Sequence, residues 1–392
     1  MRSAARLTYE QVQAARDGNP DKTTRPLLNS VITPLYGAYQ SLLKGRTARD
    51  ALELEMPERR IDLAPDGTVN GIGVRQRLDS HKLIEEFMIT ANVAAAEALD
   101  KAQQPALYRT HDSPDRDRIN GLSDILKGMN ITLAKGQVIK PAHLAKVIEE
   151  VEGHDDQRLV HQLILRAQAQ ARYAPNCTGH FGLALRHYAH FTSPIRRYAD
   201  LIVHRALIDL FKLGEDGLQP SDATDLDEIA IHISATERKA IAAERSANDR
   251  YMALYLSEHI GSRQHGRISG VGRFGLFVTL DQTGGDGLIP IRNLPDDYYI
   301  HDEAKHSLTG RRRVRQFRMG EPIIVTIKRA DPVTGIIDLE LHDSSPEKFG
   351  KAPSEGGAKR RDGRKHPTKS RKSTKGPKRN KKGKGTTPKG RR

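Results

Sequence analysis

The spacing of apolar residues changes once along this 392-residue chain, at about Gln264, and that change limits the folds the chain can adopt. Before it, apolar residues recur every three to four positions, which is typical of amphipathic helices. From Gln264 to about Asp343 they alternate with polar residues, as in half-buried strands. Five short strand signals fall in this second segment, at Gly266–Ser269, Gly275–Leu280, Gly287–Pro290, Pro322–Arg329 and Ile336–Leu341. Short strands separated by glycines predict a small closed barrel.

The strongest helical pattern before the barrel is Ser80–Ala96, where Leu83, Ile84, Phe87 and Met88 fall on one face. Further helices are predicted at His143–Val151, Gln157–Arg172, Leu201–Lys212 and 220–260, the last with Asp222 or Asp225 as its N-cap and Gly261 as its stop. A run of helices followed by a separate set of strands predicts an α+β fold class.

Composition excludes several classes of protein. No window reaches the ~18 apolar residues of a membrane helix, and the first twenty residues contain no apolar block. Cys177 is the single cysteine, which excludes a disulfide framework and a cysteine-rich zinc ribbon. The chain is therefore predicted to be cytoplasmic, without a membrane partner and monomeric.

The positive charge of the chain is concentrated at its end. Residues 351–392 contain 18 Lys or Arg against Glu355 and Asp362, a net +16, so the rest of the chain carries 15 − 16 = −1. A basic segment interleaved with Gly, Pro, Ser and Thr is predicted to be disordered. It is either a solubilising end or, as we favour, a contact with nucleic acid or the ribosome.

The start of the predicted barrel is similar to an S1 RNA-binding domain, which has the OB fold. Gly266–Val278 resembles its first hairpin, and Asp286–Pro290 resembles its third strand. Phe274 and Phe277 are candidates for stacking on unpaired bases, with Arg267 beside them for phosphate. The alternative is that both rings fill the barrel, and we expect one of them to do so. The basic run Arg311–Arg315 either extends this surface or is a solvated loop.

Residues 179–205 form the most distinctive segment, because histidines and arginines crowd it. Pro194 is expected in the first turn of a helix, which would leave the amides near Ile195 and Arg196 free to bind an anion. Arginine forks bind phosphate oxygens in a bidentate manner. The spacing of His180, His187, His190 and His204 matches no standard zinc pattern, so we expect structural or RNA-contacting histidines and no metal site.

This segment, from Gly179 through His-Phe-Thr-Ser-Pro-Ile-Arg-Arg-Tyr-Ala-Asp to Arg205, resembles the signature of the RNB exoribonuclease family, which includes ribonucleases II and R. The resemblance implies that Arg196 is catalytic and stabilises charge on the scissile phosphate. Arg197 is either a second RNA contact or an ion pair with Asp200. His180 and His190 are expected to contact RNA.

Three further positions follow from the same resemblance. Tyr9, in Leu7-Thr8-Tyr9, corresponds to a tyrosine that stacks on the nucleotide at the 3′ end, or it is a core aromatic. Glu86 would face the ribose, or it belongs to a solvated helix face. Glu244 would line the RNA channel, or it is neutralised by Arg245 or Lys239.

The resemblance also implies a Mg²⁺ cofactor held by aspartates patterned Asp-x5-Asp-x-Asp-Asp. Family members carry these upstream of the segment matching Arg6–Tyr9, and this sequence contains no such pattern. Asp112, Asp115 and Asp117 lie in a predicted loop, while 155–156 and 296–297 are isolated pairs. We therefore expect the chain alone to bind RNA, to cleave it negligibly, and to need a partner that covers exposed apolar surface.

The predicted organisation is the later part of an RNB domain at 1–212, a helical brace at 213–261, an S1 domain at 262–343 and a disordered basic tail at 344–392. The tail favours the ribonuclease R branch of the family. The implied function is 3′-to-5′ hydrolysis of RNA to 5′-mononucleotides. The alternatives are a non-catalytic RNA-binding module and, more distantly, a translation factor.

Overall fold

A computed structural model describes residues 3–56, 58–136, 138–302, 306–312 and 315–342. The basic tail predicted at 344–392 lies outside the described residues, as does part of the basic run 311–315.

The first part of the chain is mainly helical, with two small two-stranded antiparallel sheets. Its helices are α1 (Tyr9–Arg16), α2 (Thr33–Ala48), α3 (Asp79–Lys101), α4 (Arg116–Gly128), α5 (Pro141–Glu150), α6 (Gln157–Ala167) and α7 (Tyr198–Phe211), with short 3-10 turns at Arg25–Leu27 and Phe181–Leu183 and a π turn at Leu28–Ile32. One sheet is a hairpin of β1 (Arg59–Leu63) and β2 (Val69–Val74), and the other pairs β3 (Tyr108–Thr110) with β4 (Arg172–Ala174) from a distant part of the chain. The α+β fold class is confirmed.

Three clusters of buried apolar residues hold this part together. One lies between α1, α2 and α3 around Ile32, Tyr36 and Leu83. A second joins α4, α5 and α6, and the third joins α3 to α7 through residues such as Leu99 and Ile202. Burial of each aliphatic side chain contributes about 1.5–3 kcal/mol to the stability of the fold. The loops between these helices therefore begin and end on firmly packed elements.

The predicted helices are present, but several of their ends differ. The helix predicted at Gln157–Arg172 ends at Ala167, because Arg172 belongs to β4. The segment 220–260 is divided into α8 (Pro220–Thr224) and α9 (Leu226–Ser257), with Asp225 as the N-cap of α9. Gly261 follows the helix by several residues and adopts a positive φ of 85°.

Strands β5 (Arg263–Gly272), β6 (Gly275–Leu280), β7 (Asp286–Pro290), β11 (Pro322–Asp331) and β12 (Ile336–Leu341) close the predicted barrel, in the order β11-β12-β7-β6-β5. Ile323, Val325 and Ile327 alternate with more exposed residues and point into its core. Three further strands, β8 (Tyr299–Asp302), β9 (Ser307–Gly310) and β10 (Gln316–Arg318), form a small sheet that the sequence did not predict. The region around the basic run is thus partly ordered sheet.

Among the described residues, no helix combines the length and the apolar character needed to cross a lipid bilayer.

Candidate nucleic-acid interface

A tight turn between Ser193 and Arg197 presents Arg196 to solvent. The amides of Arg196 and Arg197 donate to the carbonyl oxygen of Ser193, at 3.3 and 3.2 Å, and α7 begins only at Tyr198. The expectation that Pro194 lies in the first turn of the helix is therefore wrong, and the Arg196 amide is not free to bind an anion. The Arg196 side chain is exposed and forms no hydrogen bond or ion pair with any described residue. Its guanidinium is free to bind a phosphate.

Asp200 fixes the shape of this turn from beneath. Its side chain is fully buried and accepts hydrogen bonds from the Ser193 amide at 2.7 Å and from Nε and Nη2 of Arg197 at 2.8 Å each. Of the two hypotheses for Arg197, the structure places it in the ion pair with Asp200. Arg197 positions the turn, while Arg196 extends from it.

His180 and His190 lie in a cluster of aromatic rings next to the turn. Tyr188 contacts both rings edge-on, with centroids 5.3 Å from His180 and 5.8 Å from His190, and the Tyr173 hydroxyl lies 2.8 Å from Nδ1 of His190. Burial lowers the pKa of His180 and of His190 to about 3, helped by the positive charge of Arg109 on both. Both rings are neutral at pH 7, so they offer hydrogen bonds and apolar surface and no charge to RNA.

The four histidines of the segment do not converge on one point. His204 stacks on Phe191, at 4.4 Å between centroids, and its Nε2 lies 2.9 Å from the Phe191 carbonyl oxygen. His187 lies beside Asp100 instead, with Nε2 3.2 Å from Oδ2.

Tyr9 opens α1 and lines an apolar cavity of about 360 Å³. Thr8 caps the helix in a reciprocal pair with Gln11, which fixes the backbone at this point. The Tyr9 ring is partly exposed and stacks on His81, with centroids 4.1 Å apart and planes 19° from parallel. One face of the ring is thus covered, and a nucleotide would have to use the remaining surface.

The position of the Glu86 side chain matches neither hypothesis made for it. Its side chain is not part of a solvated face but is buried, at 3% exposure, between α3 and α2. It is paired with Arg46, and Arg49 Nη2 lies 3.8 Å from its other oxygen. Burial lowers the pKa of Arg46, but the hydrogen bond and charge of Glu86 outweigh this and raise it. Contact between Glu86 and a ribose would require this pair to open.

Glu244 lies on a stretch of α9 from Arg238 to Arg250 in which every residue is exposed. Within the described residues it forms no ion pair with Lys239 or Arg245, so the neutralisation considered for it is absent there.

Both candidate rings of the barrel lie on its outer surface. Phe274 is 58% and Phe277 39% exposed, and their rings meet edge-to-face at 5.6 Å and 89°. The expectation that one of them fills the barrel is wrong, because Leu276 and Val278 occupy the interior. A Cβ on Gly270 would lie 3.1 Å from the Phe277 ring and one on Gly272 3.4 Å from the Phe274 ring, so the rings rest on bare backbone.

Two arginines near these rings differ in how free their side chains are to bind phosphate. Arg273 is exposed beside Phe274, whereas Nη1 of Arg267 donates to the carbonyl oxygen of Gly320 at 3.4 Å. Arg267 is thus partly committed to the barrel itself.

In the described part of the chain, no group of carboxylates converges in the way that a Mg²⁺ site requires. Asp115 caps α4, and Asp112 accepts from Thr178 and pairs with Arg172. Among the described residues, one group of three side chains has metal-binding geometry, and its members are Asp100, Cys177 and His187. A thiol and an imidazole suit a softer ion than Mg²⁺, which prefers oxygen ligands.

Sequence reasoning missed Arg46, Asn92 and Tyr188, which support the site. Asn92 Nδ2 donates to the Tyr188 hydroxyl at 3.1 Å, while its Oδ1 accepts from the amides of Phe191 and Thr192 at 2.9 and 3.2 Å. A polar residue on the apolar face of the strongest predicted helix was the one signal that pointed to Asn92.

The fold and this interface define a helical nuclease-type domain followed by an RNA-binding barrel, and family comparisons agree. Residues 1–212 match the RNB domain and residues 259–342 match the S1 RNA binding domain. The chain belongs to the RNB family.

Individual relatives are ribonucleases R. The chain is 38% identical to ribonuclease R of Aquifex aeolicus, over 87% of this chain and 48% of that protein. It is 34% identical to ribonuclease R of Escherichia coli, over 91% and 45%. The structure of Mycoplasma genitalium RNase R in complex with ribose-methylated single-stranded RNA superposes with a TM-score of 0.80 at 28% identity, over 86% of this chain and 53% of that one. The chain spans about half the length of the curated relatives it matches.

Proposed function

We propose that this chain holds single-stranded RNA for 3′-to-5′ exonucleolytic hydrolysis of the ribonuclease R type, in the cytoplasm. The observation that carries the proposal is the free Arg196 guanidinium, extended from a turn that Asp200 fixes. Fixed donors act on developing charge without reorganising, which is what stabilisation of a transition state requires.

The other residues supply position and not charge. Phe274 and Phe277 would take bases on the outer face of the barrel, where stacking tolerates every base. Tyr9 would take a base on the ring surface that His81 leaves open. The neutral rings of His180 and His190 would exclude water beside the phosphate. Mg²⁺, when bound in this chemistry, activates the attacking water.

The Mg²⁺ ligands are not found among the described carboxylates, and so we propose that the 392 residues assayed alone bind RNA and cleave it negligibly. The rival function is an RNA-binding module without catalysis. Incubating the chain with Mg²⁺ and a 3′-tailed RNA separates the two. A low yield of mononucleotides that disappears in Arg196→Ala supports a nuclease, whereas binding with no detectable product, even after long incubation at high chain concentration, supports the module.

Replacing Arg196 with alanine is expected to weaken binding of a single-stranded RNA about tenfold to a hundredfold. A hydrogen bond to a charged group contributes about 1.5–3 kcal/mol, and each 1.4 kcal/mol is a factor of ten. The measurement is fluorescence anisotropy at two salt concentrations, because contacts made by the basic tail weaken steeply with salt. Arg116→Ala, on exposed α4, is the control for loss of one generic charge. Equal affinities of the two variants at high salt would contradict the role of Arg196.

Replacing Phe277 with alanine is expected to cost about 1–3 kcal/mol of RNA affinity, the stacking contribution of one base. The barrel should stay folded, because the ring lies outside its core. Isothermal titration with a short oligonucleotide measures the loss. Tyr298→Ala provides a matched control, since this ring is also exposed on the S1 part of the chain but lies outside the pair of phenylalanines. If only Tyr298→Ala lost RNA affinity, the bases would stack on a surface other than the pair of phenylalanines.

A further inference from the structure

Three potential metal ligands from separate parts of the chain meet on one side of the first domain. Asp100 is the penultimate residue of α3, Cys177 follows β4, and His187 follows the 3-10 turn at Phe181–Leu183. One ligand atom from each lies within 4.8 Å of the other two, and His187 Nε2 is 3.2 Å from Asp100 Oδ2. All three side chains are partly exposed, so an ion can reach them.

These distances suit a small tetrahedral ion. Bonds of about 2.0–2.3 Å to Zn²⁺ place ligand atoms about 3.3–3.8 Å apart in a tetrahedron, so the ligand atoms need to approach one another by at most about 1.5 Å. A thiolate, an imidazole and a carboxylate are the three ligand types that Zn²⁺ takes in proteins, and solvent would complete the fourth position. We propose that Asp100, Cys177 and His187 form a binding site for Zn²⁺ or a similar soft divalent ion.

Without an ion, the surroundings of Cys177 favour the protonated thiol. Burial raises the pKa of the thiol, and hydrogen bonds from the backbone amides of Gly179 and Tyr188 act in the opposite direction. The thiol itself donates to the carbonyl oxygen of Arg186, with 3.4 Å between Sγ and that oxygen. Binding releases one proton from the thiol to solvent.

The ion would join three segments that lead towards the RNA site. Cys177 and His187 flank the loop that contains His180, and His187 directly precedes Tyr188 and the turn of Arg196. A bound ion would thereby tie this loop to the end of α3. Because the ion binds the folded chain and joins its segments, it stabilises that chain by mass action.

The test uses the fact that Cys177 is the single cysteine of the chain. Titrating the full chain with Co²⁺ is expected to produce a thiolate-to-cobalt charge-transfer band in the near ultraviolet, at one ion per chain and removed by Zn²⁺. Because Cys177 is the only thiol, the band cannot arise from any other site. Zn²⁺ is also expected to protect Cys177 of the unmodified chain from alkylation by iodoacetamide. Absence of both the band and the protection would overturn the proposal.

Variants then assign the ligands. Asp100→Asn and His187→Gln are each expected to weaken Zn²⁺ binding at least about tenfold, since even an outer partner is worth 10–100-fold. His154→Gln, which changes a histidine far along the chain from the three ligands, should leave the charge-transfer band unchanged. If His154→Gln weakened Zn²⁺ binding as much as His187→Gln did, the site would not be the one proposed.

Discussion

Replacing Asp200 with asparagine is expected to lower the free energy of unfolding by about 3 kcal/mol, the lower end of the cost of breaking a buried ion pair. Asparagine keeps the volume but removes the charge that Arg197 faces, and its amide puts a donor where an oxygen now accepts. The lower end applies because Arg197 retains some contact with solvent. Urea denaturation followed by circular dichroism measures the change.

The same variant is expected to weaken RNA binding, although Asp200 is buried and touches no RNA. The turn would lose its hydrogen bond from the Ser193 amide, so the backbone that carries Arg196 would no longer be held in one position. Arg196→Ala should show the reverse pattern, with weaker binding and unchanged stability. Asp209→Asn, on the exposed side of α7, is the matched control and should alter stability much less. If Asp200→Asn bound RNA with normal affinity, the hydrogen bonds to the Asp200 side chain would not be needed to hold the turn in its RNA-binding shape.

Replacing Glu86 with glutamine is expected to destabilise the chain by about 3–5 kcal/mol. The substitution leaves Arg46 charged and without its buried partner, and the Nε of Arg46 and Nη2 of Arg49 already lack hydrogen-bond partners in the structure. The penalty should appear as a lower midpoint in urea denaturation.

The adjacent residue provides the matched control for this prediction. Glu85 occupies the same helix, pairs with Arg77 and lies 3.7 Å from Arg46 Nη1, but its side chain is 40% exposed. Glu85→Gln is expected to cost at most about 1 kcal/mol, as exposed ion pairs do. Similar losses in the two variants would show that burial does not decide the contribution of Glu86.

Much of the fold could be predicted from the sequence because apolar residues recur at regular helical or strand spacing within each element. The alternation in β11 is so regular that its strand and its inward residues follow directly. Strands β8 to β10 were missed because each has three or four residues, too few for an alternation to stand out. The end of α6 was misplaced because Gln168 to Arg172 suits a helix, while pairing with β3 draws Arg172 into a strand.

The candidate site was predictable only where its contacts are local. The pair of Arg197 and Asp200 lies three residues apart and was considered from sequence. The pair of Arg46 and Glu86 spans 40 residues, so no spacing connects its members. The meeting of Asp100 with Cys177 and His187 was invisible for the same reason.

The right angle between the two phenylalanine rings restricts what shape of RNA the barrel accepts. In a duplex, neighbouring bases stack with their planes parallel. Two bases lying flat on Phe274 and Phe277 must instead be turned about 89° from each other. In the proposed function, a strand that places one base on each ring loses the stacking between those two bases, so paired RNA is expected to open before it binds both rings.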